Sequence, residues 1–492
     1  MNAPTASISS GTIRGDQLDD IACFRGIPFA RPPLGELRWK APEPVEPWSG
    51  VRDCVRFGDS AMQGSLGGLG DMIGVAAGPV SEDCLYLNVW TPGLDAQRRP
   101  VMVWIHGGGN VVGSGAQPRI DGQHLARRGD VVVVTLNYRL GAFGFLHAPE
   151  LGATGNEALL DQIAALRWVR REIEQFGGNS EQVTVFGQSA GGFDIAELMA
   201  LPQAAGCFDA AIPMSGSIGR QVSAEQGLGI ADRFAEHFGG CAGLREISAA
   251  DILEHQLELT GGELGGSVRF GPVRDGVLIK AEAEVALGAG THTSGMPLLI
   301  GHTANEWGLW AAMNRKLARL DDEALRDNAS RVFGARADDA IEVYYSSAPN
   351  LTPLDIWTQM MTDVMFRIPA IRMAELHSEH TPQTWMYRFD HPSPALEGRL
   401  GACHSIDIPF VWGTCDTENM PRFCGAGDAA DALSNVMMDT YLAFARHHDP
   451  NNAHLPAWPG YTSAERQTMR LESEPGVVSD PGAAVREFWA AL

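Results

Sequence analysis

No stretch of this 492-residue chain approaches the roughly eighteen consecutive apolar residues that a membrane-crossing helix needs. The opening Met1-Asn2-Ala3-Pro4-Thr5-Ala6-Ser7 has neither the basic start nor the apolar run of a secretion signal. A soluble cytoplasmic protein is therefore expected. Basic charge is also scarce: 37 Lys and Arg against 60 Asp and Glu leave a formal net charge of −23. Nucleic acid and anionic membranes are bound by clustered Lys and Arg, so neither is an expected partner. No Pro/Ser-rich linker, charge block, internal repeat or low-complexity tract divides the chain. One domain over residues 1–492 is expected, although length alone would allow roughly two or three. Ligand pairs at metal spacing are missing too. His237 and Cys241 lie four apart, but Gly239-Gly240 between them breaks a helix and no second pair follows. No metal or other cofactor is expected.

What the chain does carry is two glycine turns, each fed by a strand. Val183-Thr184-Val185-Phe186 runs into Gly187-Gln188-Ser189-Ala190-Gly191-Gly192, a G-x-S-x-G sequence, and Phe193 to Ala200 follows with helical spacing. A serine on such a strand-to-helix turn is a nucleophile elbow, with the positive end of the helix dipole aimed at the oxygen. Upstream, the buried-strand run Val101-Met102-Val103-Trp104-Ile105 ends in His106-Gly107-Gly108-Gly109-Asn110. Consecutive glycines let backbone N–H groups turn toward a carbonyl oxygen, which is the sequence form of an oxyanion hole. Alternating strand-like and helix-like segments through about residue 215 predict a mostly parallel sheet clothed by helices. Residues from about 220 to 390 read as more helical and are expected to cap the pocket.

These turns sit among further motifs that run nearly end to end. They include Phe24-Arg25-Gly26-Ile27-Pro28-Phe29-Ala30-Arg31-Pro32-Pro33-Leu34-Gly35 and Ser81-Glu82-Asp83-Cys84-Leu85-Tyr86-Leu87-Asn88-Val89-Trp90. Asn137-Tyr138-Arg139-Leu140-Gly141, Phe176-Gly177-Gly178-Asn179 and Asp449-Pro450-Asn451 follow. On these residues the chain resembles the type-B carboxylesterase family, the esterase and cholinesterase branch of the α/β-hydrolase fold. The resemblance implies a large twisted central sheet flanked by helices, with helical insertions. It also implies the catalytic order serine, acid, histidine.

Searched in that order, the family's G-x-x-x-x-E-G pattern falls on Gly301-His302-Thr303-Ala304-Asn305-Glu306-Trp307, which nominates Glu306 and puts Trp307 where the family has glycine. The histidine pattern falls on Gly401-Ala402-Cys403-His404-Ser405-Ile406-Asp407, which nominates His404. A serine hydroxyl needs a base to become a nucleophile at neutral pH, and the base needs an orienting acid. The resemblance therefore assigns Ser189, His404 and Glu306 to those three roles, and the N–H groups of Gly108, Gly109 and Ala190 to the oxyanion. Arg38 with Glu82, and Arg139 with Asp161, match buried ion pairs of the family and are read as structural. Ser217 matches a second serine near the acid, with a plain loop hydroxyl as the even alternative.

Eight cysteines are present, but the family's usual partner for Cys84 is replaced by Ala61. Cys54 reaches Cys84 only through a shifted loop, so reduced thiols and a cytosolic, bacterial setting are expected. Gln188 stands where relatives carry glutamate, and the Gly64 to Val80 loop has no aromatic residue to hold a quaternary ammonium. Choline esters are disfavoured, and that loop reads as a mobile flap. Asn110 either binds a polar substrate group or caps its own loop. Trp357, Met360, Met361, Met365 and Phe366 either wall the pocket or form a core stripe. The expected activity is a serine carboxylesterase acting on small to medium neutral esters, small-molecule substrates, through an acyl-enzyme. A carbamate or anilide hydrolase with the same triad is the neighbouring reading. A non-catalytic binding protein on this fold is the remote one, because all three catalytic residue types are retained.

Overall fold

The computed structural model describes residues 3–75, 78–261, 268–314, 317–347 and 350–492. Its centre is an eleven-stranded sheet. Seven neighbouring strands run parallel, in the order Val132–Leu136, Arg99–Ile105, Gly178–Gln188, Ala210–Met214, Leu298–Thr303, Thr384–Phe389 and Gln467–Leu471. Antiparallel strands complete both edges, Gly476–Ser479 on one side and Tyr86–Thr91, Ile21–Pro28 and Asp16–Leu18 on the other. The mixed α/β sheet expected from the sequence is present.

The two-residue side-chain period decides which face each residue meets. Val101, Val103, Ile105, Val183 and Val185 are buried on one face, and Met102, Trp104 and Phe186 on the other. There Trp104, Phe186 and Trp412 form an aromatic cluster, with ring centroids 4.9 to 5.4 Å apart. Both faces are covered, so the central strands read as continuous apolar runs rather than alternating ones.

Register brings the functional loops together. Gly187 pairs with Ile105 and Gln188 with Met214. The turns after Ile105, Gln188, Met214 and Thr303 therefore leave the sheet at the same carboxyl edge, where open parallel sheets place their ligands. Helices Ala224–His237 and Ala249–Thr260 come before Leu298–Thr303, and helices from Gly308–Met313 to Ile368–Ser378 come after it. The helical region is thus interrupted by a core strand, because the apolar Leu298-Leu299-Ile300 sequence is drawn into the sheet.

Arg139 donates to Asp161 through Nε (2.7 Å) and Nη2 (2.6 Å), and both are essentially buried. Arg38 forks onto Glu82 at 2.6 Å through Nε and Nη2. Breaking one half of such a pair costs about 3 to 5 kcal/mol, since the other charge is left buried alone. Both expected structural pairs are formed. Among the described residues, no helix is long and apolar enough to cross a membrane.

Candidate active site

Ser189 follows the strand Gly178–Gln188 and precedes the helix Ala190–Ala200, with φ 59° and ψ −122°. A side-chain-bearing residue held there costs about 1 to 3 kcal/mol. The turn is fixed from both sides: Ser189 N–H donates to Met214 O, and Phe193 N–H donates to Ser189 O, each at 2.9 Å. The helix lies so close to the neighbouring strand that a Cβ on Gly191 would stand 2.1 Å from Ile105 O. Only glycine permits that approach.

The second turn is equally constrained. Gly108 has φ 120°, and a Cβ on it would meet Val112 O at 2.1 Å. Val111 and Val112 N–H groups donate to Gly108 O and close the turn. The N–H groups of Gly108, Gly109 and Ala190 have no acceptor among the described residues. All three residues border one cavity of about 860 Å³ together with Ser189 and His404.

His404 Nδ1 lies 2.5 Å from Glu306 Oε2, with both side chains buried. Glu306 Oε1 accepts from Thr303 N–H at 2.8 Å. Burial opposes the carboxylate, but His404, the nearby Ser215 hydroxyl and the Thr303 N–H together hold Glu306 below the ordinary carboxyl range. Asn305 ties the acid loop to the histidine loop: its N–H donates to Ala402 O, and its Oδ1 accepts from Ala402 N–H. Trp307, the departure from the family glycine, has φ −71° and ψ −9°. That is right-handed backbone, so no glycine is needed. The close approach falls on the next residue, Gly308, whose Cβ would stand 2.3 Å from Leu400 O. Ser189 Oγ and His404 border the same space without a hydrogen bond between them, and such contacts are often long before substrate binds.

Gln188 Nε2 sits 3.1 Å from His404 Nε2 and 3.4 Å from Nδ1, against the imidazole. Neither Ser215 nor Ser217 makes a close hydrogen bond through its hydroxyl, but Ser215 is the one that acts on Glu306. Ser217, the serine that matches the family position, makes no hydrogen bond to the acid among the described residues. Asn110, at φ 61°, uses its amide within the protein: Nδ2 donates to Asp194 at 3.3 Å and Oδ1 accepts from Tyr138 at 3.5 Å. These partners lie on other segments of the chain, so the amide neither caps its own loop nor is free of protein contacts, although Asn110 borders the cavity.

The Met and aromatic run divides in two. Met361, Met365 and Phe366 line the cavity, whereas Trp357 and Met360 pack into a separate cluster with Phe333 and Tyr344. The division falls inside the helix Pro353–Thr362, where Trp357 and Met360 share one face and Met361 turns to another, and a π-helical turn at Asp363–Arg367 follows. The Gly64 to Val80 segment forms a short helix, Gly68–Ile73, whose end is tied down by Arg119 Nη1 donating to Ile73 O at 2.8 Å. Residues 76 and 77 of that segment lie outside the described residues.

Two buried acids at the site have no motif to announce them. Asp194 accepts from Gln162 at 2.6 Å, and Glu197 accepts from Gln221 at 2.7 Å. Burial pushes each carboxyl up to about 7. Glu197 keeps its proton in the folded state up to that pH, whereas an unfolded glutamate releases it near 4.5. Its contribution to stability is thus full below pH 4.5 and is lost as pH rises toward 7. Glu197→Gln removes that dependence. The melting temperature of the variant relative to wild type is expected to rise between pH 5 and pH 8, reflecting about 3 kcal/mol. A difference that stays constant with pH would contradict the assignment.

His237 lies not near a second cysteine pair but against His255, with ring centroids 3.8 Å apart and planes 19° apart, and Glu258 adjoins them. Ring lone pairs lie in the ring planes, so stacked imidazoles direct them side by side rather than to one point. All eight cysteines are free. The thiols that adjoin are Cys415 and Cys424, with Cys424 Sγ donating to Cys415 O at 3.8 Å. Thiol titration of the denatured, unreduced protein is expected to find all eight; a deficit of two would mean that one pair is oxidised.

The carboxylesterase family model matches residues 2–489. The chain is 36% identical to a para-nitrobenzyl esterase of Bacillus subtilis (strain 168), covering 97% of this chain and 96% of that protein. It is 33% identical to a phenmedipham hydrolase of Pseudarthrobacter oxydans, covering 98% and 96%. Among solved structures, the Geobacillus stearothermophilus carboxylesterase EST55 at pH 6.2 superposes with a TM-score of 0.89 at 36% identity, covering 99% of both chains.

Proposed function

This chain belongs to the carboxylesterase family, and from that premise we propose that Ser189 is its nucleophile, His404 its general base and Glu306 the orienting acid. The protein is a carboxylic ester hydrolase, and its substrates are small-molecule esters. The observation that carries the residue assignment is the 2.5 Å contact of His404 Nδ1 with Glu306, in a cavity shared with the elbow serine.

Ser189 Oγ adds to the acyl carbon as His404 Nε2 takes its proton, and Glu306 stabilises the imidazolium that forms. The carbonyl oxygen becomes an oxyanion held by the N–H groups of Gly108, Gly109 and Ala190. His404 passes the proton to the leaving alkoxide, which departs as the alcohol and leaves an acyl-enzyme. Water then adds with the same proton relay, and the carboxylic acid is released with Ser189 restored. Trp310 and Phe366 each stand 4.9 Å from the His404 ring and keep this space apolar. We further read the chain as one unit whose helices between about 220 and 390 cover the site, and as cytoplasmic on the strength of its free thiols.

Initial rates on 4-nitrophenyl esters from acetate to palmitate, with labelling by an organophosphonate, test this reading. Turnover peaking at short to medium chains, with one equivalent of label, is expected. A chain that takes neither label nor ester would overturn it.

A further inference from the structure

Among the described residues, the catalytic cavity is lined by Arg119, Arg220, Arg233 and Arg269 but by a single Asp or Glu, Glu197. This is the reverse of the chain as a whole, which carries a net charge of −23. Arg119 is committed: it donates to Gln117 and to Ile73 O, and the charge of Asp407 faces it. Arg233 is at the exposed rim, its Nε donating to Gly229 O. Arg220 and Arg269 are different. Among the described residues neither forms an ion pair, and Arg269 has one backbone contact, to Gln221 O at 3.3 Å. The Arg220 guanidinium lies over the Phe193 ring, 5.3 Å from its centroid, without a hydrogen-bond acceptor among the described residues.

Guanidinium groups set into a cavity wall without an anion are costly, because buried charges are ordinarily paired. Burial pushes Arg220 down to about 10, and the neighbouring charge of Arg269 pushes the same way. Burial lowers Arg269 as well. Among the described residues the acids nearby, Glu197 in the cavity wall and Asp194 beside Phe193, are pushed up to about 7 by burial and add little negative charge below that pH. An anion entering the cavity supplies what the wall lacks, and a carboxylate matches the planar fork of a guanidinium.

His404 hands its proton to the leaving oxygen, so the alcohol portion lies toward His404, beside Trp310 and Phe366. An acyl chain leaving the carbonyl on the other side runs along the oxyanion turn. Arg220 covers the ring of Phe193, three residues after Ala190; that ring also meets Phe366 at 6.2 Å, and a Cβ on Gly271 would stand 3.8 Å from Arg220 O and 3.9 Å from Asn110 Nδ2.

We propose that Arg220 and Arg269 form an anion subsite that binds a carboxylate at the far end of the acyl chain, so that half-esters of dicarboxylic acids are preferred substrates. This rests on the serine esterase reading above. The test compares kcat/KM for mono-4-nitrophenyl adipate and 4-nitrophenyl hexanoate, corrected for spontaneous hydrolysis, in wild type, Arg220→Gln, Arg269→Gln and Arg269→Lys. A second pair carries the charge on the alcohol: the hexanoyl esters of 4-hydroxybenzoate and of its methyl ester. The adipate-to-hexanoate ratio is expected to fall by about tenfold or more in each Gln variant, mainly through KM, and to be partly retained in Arg269→Lys. The ratio is the quantity compared, so a general loss of activity cancels. Should Arg220→Gln not fold, the half-buried Arg269 still carries the test. A ratio unmoved in folded Gln variants, or discrimination confined to the alcohol-side pair, overturns the subsite. Wild type that hydrolyses neither hexanoate nor adipate overturns the esterase reading itself.

Discussion

Replacing Ser189 with alanine is expected to lower kcat/KM on a 4-nitrophenyl ester by about 10⁵-fold or more, with no loss of thermal stability. The two halves of that expectation have separate causes. Without Oγ no acyl-enzyme forms, and only water attack assisted by the oxyanion N–H groups and by binding remains. Stability is unaffected because the native turn is held by backbone bonds, from Ser189 N–H to Met214 O and from Phe193 N–H to Ser189 O, which alanine keeps. Alanine also occupies the positive φ at the same steric cost as serine. Active-site titration with the phosphonate distinguishes residual activity from contaminating wild type. A variant that keeps even a hundredth of the activity would remove Ser189 from the mechanism.

Glu306→Gln is the second large effect, a fall in kcat of about 10⁴-fold at neutral pH. The glutamine amide is nearly isosteric, and its oxygen can go on accepting from Thr303 N–H, as Oε1 now does at 2.8 Å. Its NH₂ is then turned toward His404 Nδ1. A donor there moves the imidazole proton to Nε2, where the ring can no longer accept the proton of Ser189. The positive charge that develops on the ring also loses its partner. Asp407 makes a useful comparison, being a second buried acid whose charge interacts with Glu306 and whose carboxyl is pushed up to about 7, first by burial. It makes no contact with the imidazole, so Asp407→Asn is expected to cost far less turnover. Equal losses in the two variants would argue against Glu306 as the orienting acid.

Legibility in the sequence followed the range of the physics involved. The strand runs at Val101 to Ile105 and Val183 to Phe186 were readable because burial on both faces leaves an unbroken apolar signature. Ser189, Gly191 and Gly108 were readable because a tight turn restricts side-chain size within a few residues of itself. Glu306 and His404 were found through a family pattern, since nothing local marks one acid among sixty. Trp307 stands where the family pattern has glycine, and the close approach that demands glycine falls on the next residue, Gly308.

Other residues were hidden for the complementary reason. Ser215 rather than Ser217 helps to hold Glu306 low, and Asn305 couples two loops that lie almost a hundred residues apart in sequence. The run from Trp357 to Phe366 is divided between core and pocket inside one helix, Trp357 and Met360 on one face and Met361 on another, and only the packing partners show which face is which. Arg220 and Arg269 belong to no motif, and their want of an anionic partner is a property of the cavity. The sequence by itself therefore determined the sheet, the elbow and the glycine turn, because sterics and burial act through adjacent residues. Tertiary structure alone decided that Ser215 and Asn305 support the acid and that arginines unpaired among the described residues line the cavity at the carboxyl edge of the sheet, because those meetings depend on strand register and loop paths across the whole chain.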